Sequence, residues 1–418
     1  MLSGLGFASF YAAGICLLAN TAPVAFGSIG IPVITLANVT GLPVLSLSAM
    51  VGRLCAMVSV VIPAYLLFVM AGPARALEVL PAIVACGVSF AGMQFLVSNF
   101  IGPDLTDILS SLSCIVVMVA VLKLWRPQRI MRLEGDQPIS ATMSRHSPGQ
   151  IFEAWLPYVL LVAFVLAWGE PAIKNAIDAR THALLPPSLP KSPTVMNGLF
   201  VPGLHNQITR VPPVTPSASP YAAVFTFNWM TASGTACFLA TLAAAALLRV
   251  KPSKLVSIYA ATFRQLSFAI LTIASMLGLA YLMNYSGMTS TLGLALAATG
   301  SAFPFFSAVV GWLGVFLTGS DTSANALFGN LQVVTANALG LNPVLTASVN
   351  SAAGVMGKMI SVQSIAVAVA ATGMTSVDES RLFRFTIKHS VLLMAAMGML
   401  SLLFAYVWPG SVPVVPPK

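Results

Sequence analysis

Apolar runs of about 20 residues without a charge recur along most of this chain, and a helix of that length crosses a hydrocarbon core of about 30 Å. Only 7% of the 418 residues are charged and 57% are hydrophobic. A soluble domain covers its surface with roughly 25% charged residues. This chain has almost nothing to present to water, so a soluble enzyme and a nucleic-acid binder are both excluded. The runs are continuous, unlike the weak period-two alternation of a lipid-facing β-barrel. The predicted fold class is therefore an all-α polytopic membrane protein. The formal charge of +9 falls mostly in connections, where a positive excess sets orientation. Cys16, Cys55, Cys86, Cys114 and Cys237 are scattered within apolar segments and read as small packing side chains, with no disulfide framework or metal site. No Lys or Arg precedes the apolar stretch 1–20, which reads as a span or part of one and not as a cleaved leader.

Charged and proline-rich stretches divide the sequence into spans at 1–18, 46–71, 79–99, 103–122, 151–169, 222–249, 265–284, 288–317, 344–372 and 383–407. Segments 19–45 and 318–343 are too polar and too rich in Gly, Pro and Asn to cross as uniform helices, yet too apolar for solvated loops. Each reads as a re-entrant hairpin, tolerated at membrane depth only where protein or a water-filled cavity satisfies its backbone. The resulting division is a first repeat over 1–122 with hairpin 19–45, a basic loop 123–150, and connecting spans over 151–249 with a Pro-rich loop 170–221. A second repeat over 250–408 holds hairpin 318–343 and leaves a tail 409–418.

Loop charge orients these pieces. The 123–150 loop carries Lys123, Arg126, Arg129, Arg132 and Arg145 against Glu134 and Asp136, and 249–264 carries Arg249, Lys251, Lys254 and Arg264 with no acid. Both belong in the cytoplasm, and the 170–221 loop, with ten prolines, is then outside. Counting crossings places hairpin 19–45 at the outer face and hairpin 318–343 at the inner face. The residues point the same way: Asn20-Thr21-Ala22-Pro23-Val24-Ala25-Phe26-Gly27 with Gly41-Leu42-Pro43-Val44 parallels Asp321-Thr322-Ser323-Ala324-Asn325-Ala326-Leu327-Phe328-Gly329 with Gly340-Leu341-Asn342-Pro343-Val344. A polar-Thr start, a central Phe-Gly and a similar exit, in segments of opposite orientation, predict an inverted-repeat transporter.

Apart from charges in loops, at short connections or near span ends, five remain: Arg53, Asp104, Asp107, Asp321 and Lys358. A charge at mid-span costs on the order of 3 kcal/mol on insertion scales, so such residues usually face a cavity or partner and carry function. Arg53 and Lys358 each follow a glycine, Gly52 and Gly357, in the span after a hairpin, which the same pseudo-symmetry would relate. Gly354 with Gly357 suggests an unwound point. Both cations could instead snorkel from helix ends. Asp321 suits a helix N-cap; a capped half-helix presents free N–H groups to an anion, and the same carboxyl could take up and release a proton. Asp104 and Asp107, in Gly102-Pro103-Asp104-Leu105-Thr106-Asp107, read first as an ordinary helix start and only second as proton carriers.

Three of these stretches carry a family resemblance: Asn20 to Gly27; Gly311-Trp312-Leu313-Gly314-Val315-Phe316-Leu317-Thr318-Gly319-Ser320-Asp321-Thr322-Ser323-Ala324-Asn325; and Gly354-Val355-Met356-Gly357-Lys358-Met359-Ile360-Ser361-Val362-Gln363-Ser364. They resemble the bacterial L-lactate permease family, and the likeness runs through most of the chain, fading at 126–150 and 180–215. The resemblance implies uptake of lactate, and often glycolate, with a proton across the bacterial plasma membrane. It also implies an inverted-repeat fold whose relatives hold substrate at Ser-Asn-Thr-type hairpin tips, matched here by Asn20-Thr21 and Ser320-Asp321-Thr322. Val362 stands where the family pattern suggests proline, and family members carry further spans before the first hairpin, so the chain reads as N-terminally truncated.

The resulting reading is a proton symporter for small 2-hydroxymonocarboxylates, embedded in the lipid bilayer, with no catalytic residues, metal or cofactor beyond the coupling proton. A homo-oligomer is left open. Asn20, Thr21, Thr322, Ser323 and Asn325 would hydrogen-bond the substrate, Lys358 and Arg53 would supply counter-charge, and Asp321 would carry the proton. Gly27, Gly329, Gly354 and Gly357 are structural glycines. The alternatives are a sodium-coupled di- or tricarboxylate carrier of the same superfamily, a transport-incompetent fragment, and a membrane-embedded enzyme. The last is disfavoured because His146, His182, His205 and His389 are read in loops or at a span edge.

Overall fold

A computed structural model of the chain describes residues 2, 6–127, 147–193, 195–212, 214–215 and 217–414. Arg129, Arg132, Glu134, Asp136, Arg145 and His146 lie outside that set. The helices, in chain order, are α1 (Ser9–Ala19), α2 (Gly27–Thr40), α3 (Val44–Ala71), α4 (Pro73–Glu78), α5 (Leu80–Phe100), α6 (Thr106–Leu124), α7 (Pro148–Gly169), α8 (Pro171–Leu184), α9 (Ser233–Leu247), α10 (Pro252–Ser286), α11 (Met288–Leu296), α12 (Phe303–Thr318), α13 (Asp321–Ala338), α14 (Pro343–Lys358), α15 (Val362–Thr372) and α16 (Ser376–Leu402). Six helical runs are long and apolar enough to cross a membrane, and the bent pair α14 and α15 makes a seventh. The protein is all-α and polytopic.

Residues 142–275 form one compact unit and 1–141 with 276–418 another. In the first unit α7 packs on α9, and the Trp168 indole donates to the Met230 carbonyl at 2.8 Å. The span expected over 222–249 is shorter here, because Val224–Thr226 pairs antiparallel with Gly198–Phe200 before α9 begins. That stretch, Val-Phe-Thr-Phe-Asn-Trp, has the β-branched and aromatic character that favours strands.

In the second unit, side-chain bonds fix the direction of each helix. α5 runs antiparallel to α3: Ser48 Oγ donates to the Ser98 carbonyl (2.8 Å), Ser59 Oγ to Gln94 Oε1 (2.8 Å), and Gly87 sits on the Val60 backbone. α6 then returns to Lys123 and Arg126 at the opposite end. The starts of α3 and α14 share one end, since Arg53 Nη1 and Asn342 Nδ2 both donate to carbonyls of the 411–413 tail. α12 and α14 run in the same sense, with Ser307 Oγ on the Thr346 carbonyl (3.1 Å) and Gly354 against Val315. α13 runs back between them, pairing Gln332 with Asn350 (3.1 Å) and Asp321 with Ser351 (2.6 Å).

The reversal from α12 to α13 follows from two residues. Gly319, at φ +69°, ends α12 in the left-handed conformation that glycine adopts without strain, and Ser320 caps α13 by accepting from the Ser323 amide. The hairpin expected over 318–343 is instead formed by α12 and α13, with its tip at Gly319-Ser320 against Gln363, and 321–338 is one continuous helix. The hairpin opens toward the end at which α14 starts. The stretch 288–317 is long and apolar enough to cross a membrane but is not one straight helix. Gly300 breaks it at φ +56°, and α11 lies across the end of α13: Gly293 rests on Val334 and Thr335, while Ser307, on the next helix, is still beside Gln332.

Segment 19–45 takes a different path from the hairpin expected. Residues 20–26 close through i to i+3 bonds (Thr21 amide to Leu18 carbonyl, 3.3 Å; Phe26 amide to Pro23 carbonyl, 3.0 Å), and the backbone leaves the right-handed helical region just after them, at Gly27 (ψ 160°), Ile29 (φ +60°) and Gly30 (φ +70°). Ser9 Oγ bonds the Thr372 carbonyl (2.9 Å), and Leu17 and Leu18 pack with Met359 and Ile360, so α1 runs antiparallel to α15. α2 follows the direction of α13, with Asn325 on the Pro32 carbonyl (3.2 Å) and Gly329 against Leu36 and Thr40. The pair α1 and α2 is thus a broken crossing that runs opposite to the broken crossing of α14 and α15. Opposite orientation relates these two breaks. The reversal out of 19–45 falls at Gly41–Pro43, before α3.

Helices in lipid gain nothing from the hydrophobic effect against one another, so small residues permitting close approach hold them. α12 and α14 are an instance. A Cβ on Gly357 would meet the Trp312 carbonyl and, at 3.0 Å, the Phe316 nitrogen; one on Gly354 would meet Val315 Cγ2 and Asp321 Oδ1, each at 2.7 Å. Backbone cannot yield as a flexible side chain can. Gly357→Ala is expected to cost about 1–3 kcal/mol, read as a lower thermal midpoint of the purified protein in detergent. An unchanged midpoint would contradict this packing.

Candidate functional site

Three chain breaks meet in the interior: the hairpin tip Gly319-Ser320, the α14 to α15 break at Met359–Ser361, and the 20–26 turn, whose segment Val24–Phe26 packs on α14. Each break exposes backbone groups that a continuous helix would have paired. Ser320 and Ser361 satisfy part of that need, accepting from the Ser323 and Ser364 amides at 3.3 Å.

A chain of buried polar side chains runs from this junction. Asp321 is 2% exposed, and its Oδ2 accepts from Ser351 Oγ at 2.6 Å and from Asn325 Nδ2 at 3.4 Å. Asn325 Oδ1 accepts from Asn350 Nδ2 (2.9 Å), whose Oδ1 accepts from Gln332 Nε2 (3.1 Å). Gln332 Nε2 also reaches the Ser307 carbonyl (3.1 Å). The near end of the chain is incomplete: Asp321 Oδ1 and Ser323 Oγ are buried with no hydrogen-bond partner. A buried polar atom left unpaired is costly. Here two such atoms lie on one turn of α13, where the helix's free amides and positive dipole end are also presented.

Lys358 closes α14 one residue before the break. No acid forms an ion pair with it among the described residues. The unwound point predicted at Gly354 and Gly357 lies instead just past Lys358, and both glycines serve close packing within α14. The capping role weighed for Asp321 belongs to Ser320, which leaves the Asp321 carboxyl available.

The sequence-predicted residues divide accordingly. Asp321, Ser323, Asn325, Gly354 and Lys358 come together, with Thr322 half-buried beside them on α13. Asn20 is exposed, and the Thr21 hydroxyl is spent on the Leu18 carbonyl at 2.7 Å. Arg53 stands apart from them, its Nε on Asn99 Oδ1 at 2.9 Å. Asp104 is half-buried. Asp107 opens α6 as predicted, but its Oδ1 is buried and unpartnered. Gly329 permits the approach of α2; Gly27 has open space around it. His389 lies well inside α16, not at a span edge, with Nδ1 2.6 Å from Tyr65 Oη.

Asn350, Ser351 and Gln332 are the residues sequence reasoning missed. Their signal is polar side chains at 346, 348, 350 and 351 within an otherwise apolar span. Asn350→Ala would leave Asn325 Oδ1 and Gln332 Nε2 short of partners. It is expected to destabilise by about 1–3 kcal/mol per orphaned group, measured as a fall in thermal midpoint larger than that of Asn350→Asp. No cluster of three or more His, Cys, Asp or Glu side chains that could hold a metal occurs among the described residues.

Crossings broken at mid-membrane beside a re-entrant tip, around a buried site with both a cation and an acid, define the architecture of a secondary transporter. The sequence model of the L-lactate permease family matches residues 1–408, and the chain belongs to that family. It is 45% identical over 431 residues to the L-lactate permease of Bacillus subtilis (strain 168), covering 99% of this chain and 74% of that one. It is 43% identical over 422 residues to the Glycolate permease GlcA of Escherichia coli (strain K12), covering 98% and 74%. A solved structure, the Alcanivorax borkumensis YdaH transporter, aligns over 100% of this chain and 88% of its own at 14% identity and a TM-score of 0.38. The family is one of permeases and not enzymes, and the chain is accordingly a multi-pass protein of the bacterial plasma membrane.

Proposed function

We propose that the chain takes up lactate, and 2-hydroxymonocarboxylates such as glycolate, by proton symport. The observation that carries this reading is the pair of buried, unpartnered oxygens, Asp321 Oδ1 and Ser323 Oγ, on the start of α13, with the cation Lys358 closing α14 one turn past Gly354, which packs against Asp321. A 2-hydroxy acid offers a carboxylate for the ammonium and a hydroxyl for the serine and aspartate oxygens. Its charge and that of one proton cancel, so loaded transit is electroneutral. Lys358 supplies the counter-charge, the α13 amides and Ser323 orient the substrate, and Asp321 carries the proton, with no metal or cofactor taking part. The names of the permease relatives support the substrate class. The test is uptake of radiolabelled lactate into proteoliposomes with and without an imposed pH gradient. Accumulation only when the outside is acidic fits the proposal; accumulation driven by sodium at equal pH overturns it.

A further inference from the structure

The functional site leaves Arg53 unused, although it too is a cation within a membrane-crossing helix. It lies in the third turn of α3, half-buried, in a cavity of about 470 Å³. The walls are Met57, Phe95, Phe404 and Trp408, and the floor includes Ser411. A guanidinium has five N–H donors in a planar fork. Here Nε is held by Asn99 Oδ1 at 2.9 Å and Nη1 by the Ser411 carbonyl, both neutral acceptors. No carboxylate pairs with Arg53 among the described residues. The remaining donors face a cavity that is otherwise apolar and aromatic.

Met57, Phe95 and Trp408 are 40–43% exposed, and next to them on α3 and α5 the exposed residues are Val60, Val61 and Leu96. Exposed apolar side chains on membrane-crossing helices meet acyl chains, and Trp is enriched where such helices reach the interface. An uncompensated guanidinium inside the cavity costs free energy unless an anion approaches from the same side.

We propose that the Arg53 groove is a binding site for the phosphate of an anionic phospholipid, with Arg53 forking the phosphate oxygens and an acyl chain lying along Met57, Phe95, Val60 and Leu96. The fork suits a phosphate in a way that a point charge does not. Lipid is favoured over a small soluble anion because the walls are apolar and continue into the exposed apolar side chains Val60, Val61 and Leu96. Occupancy would tie α3, α5 and the 408–411 segment together through one headgroup, so the site senses membrane composition independently of the transport reading.

The experiment uses the full chain purified in mild detergent, titrated with phosphatidylglycerol or phosphatidylcholine, with retained lipid read by native mass spectrometry. The wild type is expected to prefer phosphatidylglycerol by about fivefold, the ratio one basic residue near an anionic surface supports. Arg53→Gln should abolish that preference and Arg53→Lys should keep part of it. Should Arg53→Gln fold poorly by size-exclusion profile, Met57→Glu provides the second arm, since a carboxylate placed against Arg53 fills the phosphate position and should also remove the preference. Preference unchanged in the variants overturns the proposal. So does displacement of bound phosphatidylglycerol by equimolar inorganic phosphate, which would assign the groove to a soluble anion.

Discussion

Lys358→Ala is expected to reduce lactate binding to the level of empty liposomes. Lys358 closes α14, and no acid is in ion-pair contact with it among the described residues. In the proposed cycle, the substrate carboxylate is therefore the partner that neutralises it. Removing one member of a buried charge pair costs about 2–5 kcal/mol, a factor of about 30 to several thousand in affinity. Lys358→Arg retains the charge but spreads it over a larger planar group, so partial binding is expected. The competing role is structural: a cation in the last turn of a helix stabilises it through the dipole by about 0.3–1 kcal/mol. That role predicts a lower thermal midpoint with lactate affinity intact in Lys358→Ala. The proposed role predicts the reverse, affinity lost with the midpoint nearly unchanged. Scintillation-proximity binding beside thermal unfolding in the same detergent separates the two.

The parts legible in the sequence are those governed by local chemistry. Scarcity of charge excluded a soluble fold, and Gly319-Ser320 could be read as a helix stop and start because each residue acts through its own backbone torsion or hydroxyl. Asp321, Ser323, Asn325 and Lys358 stood out because polar groups are rare in spans. What was not legible depended on direction and on partners far along the chain. The turn at 20–26 holds Asn, Thr and Pro, which also make reversals; only the packing of α1 on α15 and of α2 on α13 shows which way the chain continues. Residues 288–317 have the length and hydropathy of a span, and the Gly300 break alone turns α11 aside. Asn20 and Thr21 matched the hairpin tip by pattern but not by position. The role of Asn350 emerges only when α13 folds back onto α14 and brings Asn325 and Gln332 to it.

Asp321→Asn should separate transport from its driving force. The substitution keeps a side-chain oxygen to accept from Ser351 Oγ, and Ser320 retains the cap of α13, so the hairpin tip should fold as before. What disappears is the group that can bind a proton. With protons coupled one to one, each unit of imposed pH difference supplies about 1.4 kcal/mol, or about tenfold accumulation. The wild type should follow that slope. In Asp321→Asn the slope should vanish, while exchange of internal for external lactate continues, because exchange needs substrate binding and movement but no net proton transfer. Loss of both accumulation and exchange would mean that the carboxylate shapes the substrate site and not the coupling. Accumulation that still rises with the pH difference would place the proton elsewhere. Asp107, whose Oδ1 is likewise buried and unpartnered on the first turn of α6, is the next carboxyl to replace, by the same Asn substitution and the same pair of measurements.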